Sequence, residues 1–281
     1  MKSWTLNDIP WHSFTKSLVN KDLIPIVKAA SMVESNADDY AAYLQNVFHD
    51  DPEFKQAARD WAVEEVQHGL ALGRWAELAD PDFNYRESFK RFVDGYKVPV
   101  HATSSIRGSR AGELIARCIV ETGTSSYYRA LMDASEEPVL KEVCRLIAAD
   151  EFRHYKLFYV HLQRYLEKEK VGKIRRLFVA LGRIRESEGD DELPYAYYAA
   201  NGAEDEQYNH LKYSAEYGVR AYPLYQPYHI EKATGMVMKA VGLSPQGKIS
   251  HFMNTGLQKF ITYRAQKLRQ RIGIIPQDNP S

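Results

Sequence analysis

Two Glu-x-x-His steps carry the chemistry this sequence offers: Glu65-Val66-Gln67-His68 and Glu151-Phe152-Arg153-His154. Each follows a further glutamate, Glu34 in the first case and Glu121 in the second. On a helix a three-residue step puts carboxylate and imidazole on one face. The positions relative to the turns are informative. Glu34 and Glu65 have their midpoint between His49 and Asp50, and Glu121 and Glu151 have theirs at Glu136. Both midpoints fall in stretches that Asp and Pro mark as turns, His49-Asp50-Asp51-Pro52 and Ser135-Glu136-Glu137-Pro138. In an antiparallel helix pair, residues equidistant from the turn lie at one height. Each hairpin therefore brings two glutamates and a histidine to one level, about 22 Å from its turn.

The acids lie within the apolar stripes rather than opposite them. Glu34 continues Ala30 and Ala37, Glu65 continues Trp61 and Leu72, and Glu151 continues Ile147 and Phe158. A carboxylate on a core face costs several kcal/mol unless it is paired or bound to a cation. No Arg or Lys is expected on those stripes at that level, but two divalent cations would neutralise all four glutamates. Mixed carboxylate and imidazole donors suit iron, or manganese at one position, better than a closed zinc site. One glutamate from each of two helices plus Glu-x-x-His from the other two is the arrangement of carboxylate-bridged di-iron centres. The expected metal ligands are Glu34, Glu65, His68, Glu121, Glu151 and His154.

The elements that must position them read as helices. Residues 1–20, with two tryptophans and Pro10, have no helical period and read as an arm packed on a core. From Asp22 the apolar residues Leu23, Ile26, Val27, Ala30, Ala37, Ala41 and Leu44 predict one helix reaching about His49. A second runs to about Ala79 and is stopped by Asp80-Pro81-Asp82. Residues 80–108 are mixed, with a short amphipathic piece around Phe89–Phe92. A third helix follows Ser109, and a fourth runs from Pro138 to about Glu169. Hairpin, long crossover, hairpin is the order of an all-α, ferritin-like four-helix bundle. This gives an arm over 1–20, a bundle over 21–170 and a helical extension over 171–281. The tyrosine-rich stretch Tyr195–Tyr228 is expected to cover one end of the bundle.

The residues around the acids resemble a known family, the soluble acyl-acyl-carrier-protein desaturases of the ferritin-like superfamily. Trp61-x-x-Glu64-Glu65-x-x-His68-Gly69 is similar to its W-x-x-E-E-N-R-H-G, and Ile147-Ala148-Ala149-Asp150-Glu151-x-Arg153-His154 to its I-A-A-D-E-K-R-H. Glu121-Thr122-Gly123-Thr124 matches its E-R-A-T at the glutamate and the last threonine. The resemblance spans about residues 22–168. It implies two iron ions, O2 as co-substrate, an electron donor such as ferredoxin, a carrier-bound acyl substrate and a homodimer. It also implies that the Thr124 hydroxyl lies near bound oxygen, a catalytic role; bonding its own helix carbonyl is the alternative.

Metal-bound histidines usually donate their second N–H to a carboxylate. Asp150 and Glu64, each preceding an expected ligand, could reach His68 and His154 respectively, or simply be solvated. Trp61 is grouped with these supporting residues. With Tyr128, Phe152 and Tyr155 it could line a pocket or carry electrons, or just pack in the core. Gly123 is expensive inside a helix, about 1 kcal/mol against Ala, and could make room for oxygen or substrate. Basic residues cluster at Lys173, Arg175, Arg176, Arg183 and Arg185, and at Lys259, Arg264, Lys267, Arg269 and Arg271. They read as solvated faces or as a dock for an acidic carrier protein, with the acidic stretch 186–192 favouring local pairing.

Composition excludes other classes. With 37 basic and 37 acidic side chains in 281 residues the net charge is zero, against general nucleic-acid binding. No apolar run approaches the ~18 residues of a membrane span, and the N-terminus reads as lacking a secretory signal, so a cytoplasmic location is expected. Cys118 and Cys144 alone cannot make a disulfide scaffold or zinc ribbon. The function expected is a non-haem di-iron oxidoreductase, desaturase or monooxygenase, that activates O2 to oxidise a small-molecule or carrier-bound substrate. The alternatives are a ferritin-like iron-storage protein or a di-iron N-oxygenase.

Overall fold

The computed structural model describes residues 4–187, 189–203 and 205–271, and these form helices with no strand among them. Four long elements carry the expected ligands. The first is broken into α1 (Ile24–Ser35) and α2 (Ala37–Val47); the others are α3 (Pro52–Ala79), α5 (Arg110–Ala134) and α6 (Pro138–Glu169). In the crossover, α4 (Tyr85–Gly95) is longer than the amphipathic piece expected there. After the bundle residues come α7 (Lys173–Glu186), α8 (Glu192–Asn201), α9 (His210–Ala221), α10 (Pro227–Val241) and α11 (Lys248–Arg271).

Caps fix both hairpin turns. Asp51 accepts a hydrogen bond from the Phe54 N–H at 3.0 Å, with Pro52 as first residue of α3. Its carboxylate also accepts from the Tyr165 hydroxyl at 2.9 Å, tying the start of α3 to the end of α6. At the other turn Glu137 caps α6 through Leu140 N–H at 2.8 Å. Glu137 also takes the indole N–H of Trp75 at 2.8 Å and the Thr15 N–H at 3.1 Å, so one buried carboxylate joins α3, α6 and the arm.

α1 and α2 both pack on α3, α5 packs on α6, and α3 meets α6, which joins the two pairs. The apolar core is divided in two. One cluster takes Ile26–Met32, Ala71–Ala79, Tyr127–Leu131 and Val139–Ala148 from these helices; the other takes Ala37–Phe48, Phe54–Ala62, Ala111–Ile119 and Tyr155–Leu166. The level between them holds Glu34, Glu65, His68, Glu121, Glu151 and His154, all buried.

One helix was expected from Asp22 to about His49; instead the chain breaks at Asn36, whose N–H bonds to Val33 as in a tighter turn. The tyrosine-rich stretch lies along a side: α8 packs along α1 and against α4 and α9, while α10 packs along α5. The extension assigned to 171–281 is described as far as Arg271, whose side chain is outside the described residues. No described helix is long and apolar enough to cross a membrane.

Candidate metal centre

The break at Asn36 and a glycine bring the first ligand helix into place. Glu34 lies two residues before Asn36, and α1 passes α3 at Gly69, directly after His68. A Cβ on Gly69 would come within 2.7 Å of Ser35 N and 2.9 Å of Ser31 O. Only glycine permits that approach, which holds Glu34 against His68.

His68 Nδ1 lies 3.2 Å from Glu151 Oε1, 3.4 Å from Glu65 Oε2 and 3.8 Å from Glu34 Oε2. His154 Nδ1 lies 2.9 Å from Glu65 Oε1 and 3.7 Å from Glu121 Oε2. The six residues form two overlapping groups, Glu34, Glu65, His68 and Glu151, and Glu65, Glu121, Glu151 and His154, each with donor atoms within 4.8 Å of one another. Glu65 and Glu151 belong to both.

These close approaches leave several donor and acceptor atoms unsatisfied. His68 Nδ1, His154 Nδ1, Glu151 Oε1 and both Glu121 oxygens are buried with no hydrogen-bond partner among the described residues. Buried polar atoms are rarely orphaned, and five within two overlapping groups require compensation. Carboxylate oxygens and imidazole nitrogens are ligands for divalent metals, so the donor set fits a metal ion.

The opposite ring edges are held by carboxylates. His68 Nε2 lies 3.2 Å from Asp150 Oδ2, and His154 Nε2 lies 2.7 Å from Glu64 Oε2. Arg153 bridges the two acids, donating to Asp150 at 2.6 Å and Glu64 at 3.2 Å. These bonds leave Nδ1 of each ring for the cluster. Burial alone would raise the Asp150 carboxyl, but hydrogen bonds from His68 and Arg153 bring it below its ordinary value. Glu64 is lowered in the same way by His154 and Arg153.

Inside the cluster, burial pushes Glu34 and Glu121 well above the carboxylate range, reinforced by Glu65 and Glu151. Burial opposes ionisation of Glu65 too, but hydrogen bonding from Glu34 and the charge of His154 hold it well below its ordinary value. Both imidazoles are raised despite burial, His68 chiefly by Asp150 and Glu151 and His154 chiefly by Glu65 and Glu64. Without a cation the cluster must hold protons to stay buried.

Two hydroxyls reach the glutamates from α5. Thr124 donates to Glu151 Oε2, and also lies 3.3 Å from the carbonyls of Val120 and Glu121. Tyr128 donates to Glu34. Glu34, Gly123, Thr124 and Tyr128 all line a cavity of about 310 Å³, lined on its other sides by residues of α7, α8, α9 and α11. A Cβ on Gly123 would meet nothing within 4 Å.

Trp61 does not take the supporting place assigned to it. Its Nε1 has no hydrogen-bond partner among the described residues, and its ring packs edge-on against Phe158 at 5.6 Å, under the Arg117 guanidinium at 5.8 Å. The indole that meets an outer carboxylate is Trp4, donating to Asp150 Oδ2 at 2.7 Å and stacked on His68 at 5.9 Å. The arm's tryptophans were the only signal for it. Arg117 also corrects the expectation of no basic residue near this level: it is buried one turn before Glu121, over the rings of Trp61 and Tyr40. Phe152 is exposed and stacks on Tyr155, which bonds the Met236 carbonyl at 2.8 Å. Cys118 and Cys144 are buried free thiols.

Among the basic residues, Arg183 and Arg264 line the cavity. Glu186, expected to pair locally, instead pairs with Arg107. Compared with known proteins, the chain matches no family model and no curated protein.

Proposed function

We propose that the chain is a non-haem di-iron oxidoreductase that activates O2 to oxidise an organic substrate, on a ferritin-like bundle formed by α1–α2, α3, α5 and α6. The observation that carries this reading is the pair of four-residue groups sharing Glu65 and Glu151, next to a cavity that Glu34 and Thr124 both line. Glu34, Glu65, His68, Glu121, Glu151 and His154 would hold the ions, Glu65 and Glu151 belonging to both groups. Two iron ions held there supply the redox chemistry, the reductive activation of O2.

The chain's own residues do the positioning. Asp150 and Glu64 keep each imidazole turned with Nδ1 inward. The Thr124 and Tyr128 hydroxyls donate to Glu151 and Glu34 and restrain those carboxylates on the cavity side. The apolar clusters on either side exclude water from the level between them. Electrons come from an external donor, in the manner of ferredoxin, and the products are those of desaturation or hydroxylation.

The test is metal content per chain after anaerobic Fe(II) loading and desalting, with Glu65→Ala in parallel. About two irons are expected, with loss in the variant because Glu65 serves both groups. Near-zero iron in the wild type would overturn the reading.

A further inference from the structure

The cavity beside Glu34 and Thr124 has a composition that restricts its occupant. Its wall is apolar near the cluster, with Ala30, Val33, Ile119 and Val120, and it carries guanidinium groups from Arg183 on α7 and Arg264 on α11. Arg183 Nη1 is buried and has no hydrogen-bond partner among the described residues. A buried N–H of a permanently charged group calls for an acceptor, and an anion satisfies it best. Glu192 lines the same cavity, but its carboxylate accepts from the Tyr40 hydroxyl at 2.6 Å, and burial pushes it up to about 7. At neutral pH it therefore offsets only part of the positive charge.

Size sets a second limit. A cavity of about 310 Å³ falls at the small end of the range that takes small-molecule ligands. An acyl chain tethered through a carrier thioester brings no charge of its own to a guanidinium inside the pocket.

We infer that the substrate is a small free amphipathic carboxylate, its apolar body in the part of the cavity lined by Ile119, Val120 and Gly123 and its carboxylate on Arg183. The assignment of this ligand as substrate rests on the proposed oxidoreductase reading; its binding does not. A bidentate guanidinium–carboxylate contact fixes one end of the molecule and so determines which carbon is presented beside Glu34 and Thr124.

Octanoate joins an apolar body to a carboxylate, and 1-octanol is its uncharged counterpart. Isothermal titration of the protein as isolated, with iron content measured on the same samples, is the test. Octanoate is expected to bind in the micromolar-to-millimolar range and 1-octanol more weakly. Arg183→Met should weaken octanoate by about tenfold or more and leave octanol nearly unchanged, with Arg183→Lys recovering part of the loss. Gly123→Leu, which extends a side chain into open space, should abolish binding of both. Equal binding of acid and alcohol, or octanoate binding untouched by Arg183→Met, would overturn the carboxylate assignment. Octanoate binding that survives Gly123→Leu would overturn the location. Iron loading without octanoate binding overturns this inference alone, whereas octanoate binding without iron overturns the di-iron reading alone.

Discussion

Asp150 is held by Trp4, His68 and Arg153 at once, and that convergence gives a single residue a measurable effect. Asp150→Asn preserves shape but removes the charge that orients His68; metal affinity, read by competition with a chelator, should fall about 10–100-fold, while Phe152→Ala on the exposed side should leave it unchanged. The protons of the metal-free cluster give a second expectation. Glu34 and Glu121 have ordinary values of 4.5 and the imidazoles 6.5, and all four are raised in the folded chain. A group raised on folding contributes stability that is complete below its unfolded value and is lost as pH rises towards the folded one. The lowered Glu65, Asp150 and Glu64 act in the opposite sense, losing their contribution only as pH falls below their unfolded values. Metal-free protein should therefore lose thermal stability as pH rises above about 6, and metal binding should release protons and restore it increasingly with pH. Melting curves with and without metal across that range check the sign, and a stabilisation by metal that shrinks with rising pH would contradict it. The six glutamate and histidine positions were legible because carboxylates on an apolar stripe are conspicuous. Trp4 was not, because an indole in an aperiodic arm can dock anywhere until the fold is known.

At the scale of the helix, two glycines near the cluster play opposite parts. Gly69 is where α1 crosses α3, and Gly69→Ala forces Ser35 and Ser31 backbone atoms apart, a strain of about 1–3 kcal/mol. Iron stoichiometry should fall with it, because Glu34 moves with α1. Gly123 faces open space, so Gly123→Ala should stabilise the chain by up to about 1 kcal/mol through helix propensity. Denaturant midpoints of the two variants should shift in opposite directions, and a shared sign would refute the contrast drawn from their surroundings. The sequence marked the hairpin turns well, since Asp51 and Pro52, and Glu137 and Pro138, are caps and first-turn residues with local mechanisms. The break at Asn36 left no such mark. Ala30, Ala37, Ala41 and Leu44 keep the helical period through it, so a pattern of apolar residues reads straight across a one-residue tightening.

For the whole molecule, what lies outside the four helices that carry the six candidate ligands bears on the choice between oxidation and storage. α8 lies along α1 and α10 along α5. The second contact is fastened by His229 Nε2 on Asp133 Oδ2 at 2.9 Å and by the Ser126 hydroxyl on the His229 carbonyl at 3.2 Å. This lateral packing was hidden in the sequence: Tyr195 to Tyr228 is rich in aromatics, but such residues fit an end cap as well as a side wall. Its consequence is physical. A storage shell needs bundle faces free to meet neighbouring subunits, whereas here α8 and α10 occupy flanks of α1 and α5, and α7, α8, α9 and α11 line a cavity beside Glu34. The expected particle therefore contains one or two chains of 32.3 kDa, and sedimentation or light scattering measures this directly. A mass many times larger, with ferric iron accumulating far beyond the ligand set, would favour storage and count against the oxidoreductase. A monomer or dimer that binds iron only to the capacity of Glu34, Glu65, His68, Glu121, Glu151 and His154 is what the proposed oxidoreductase requires.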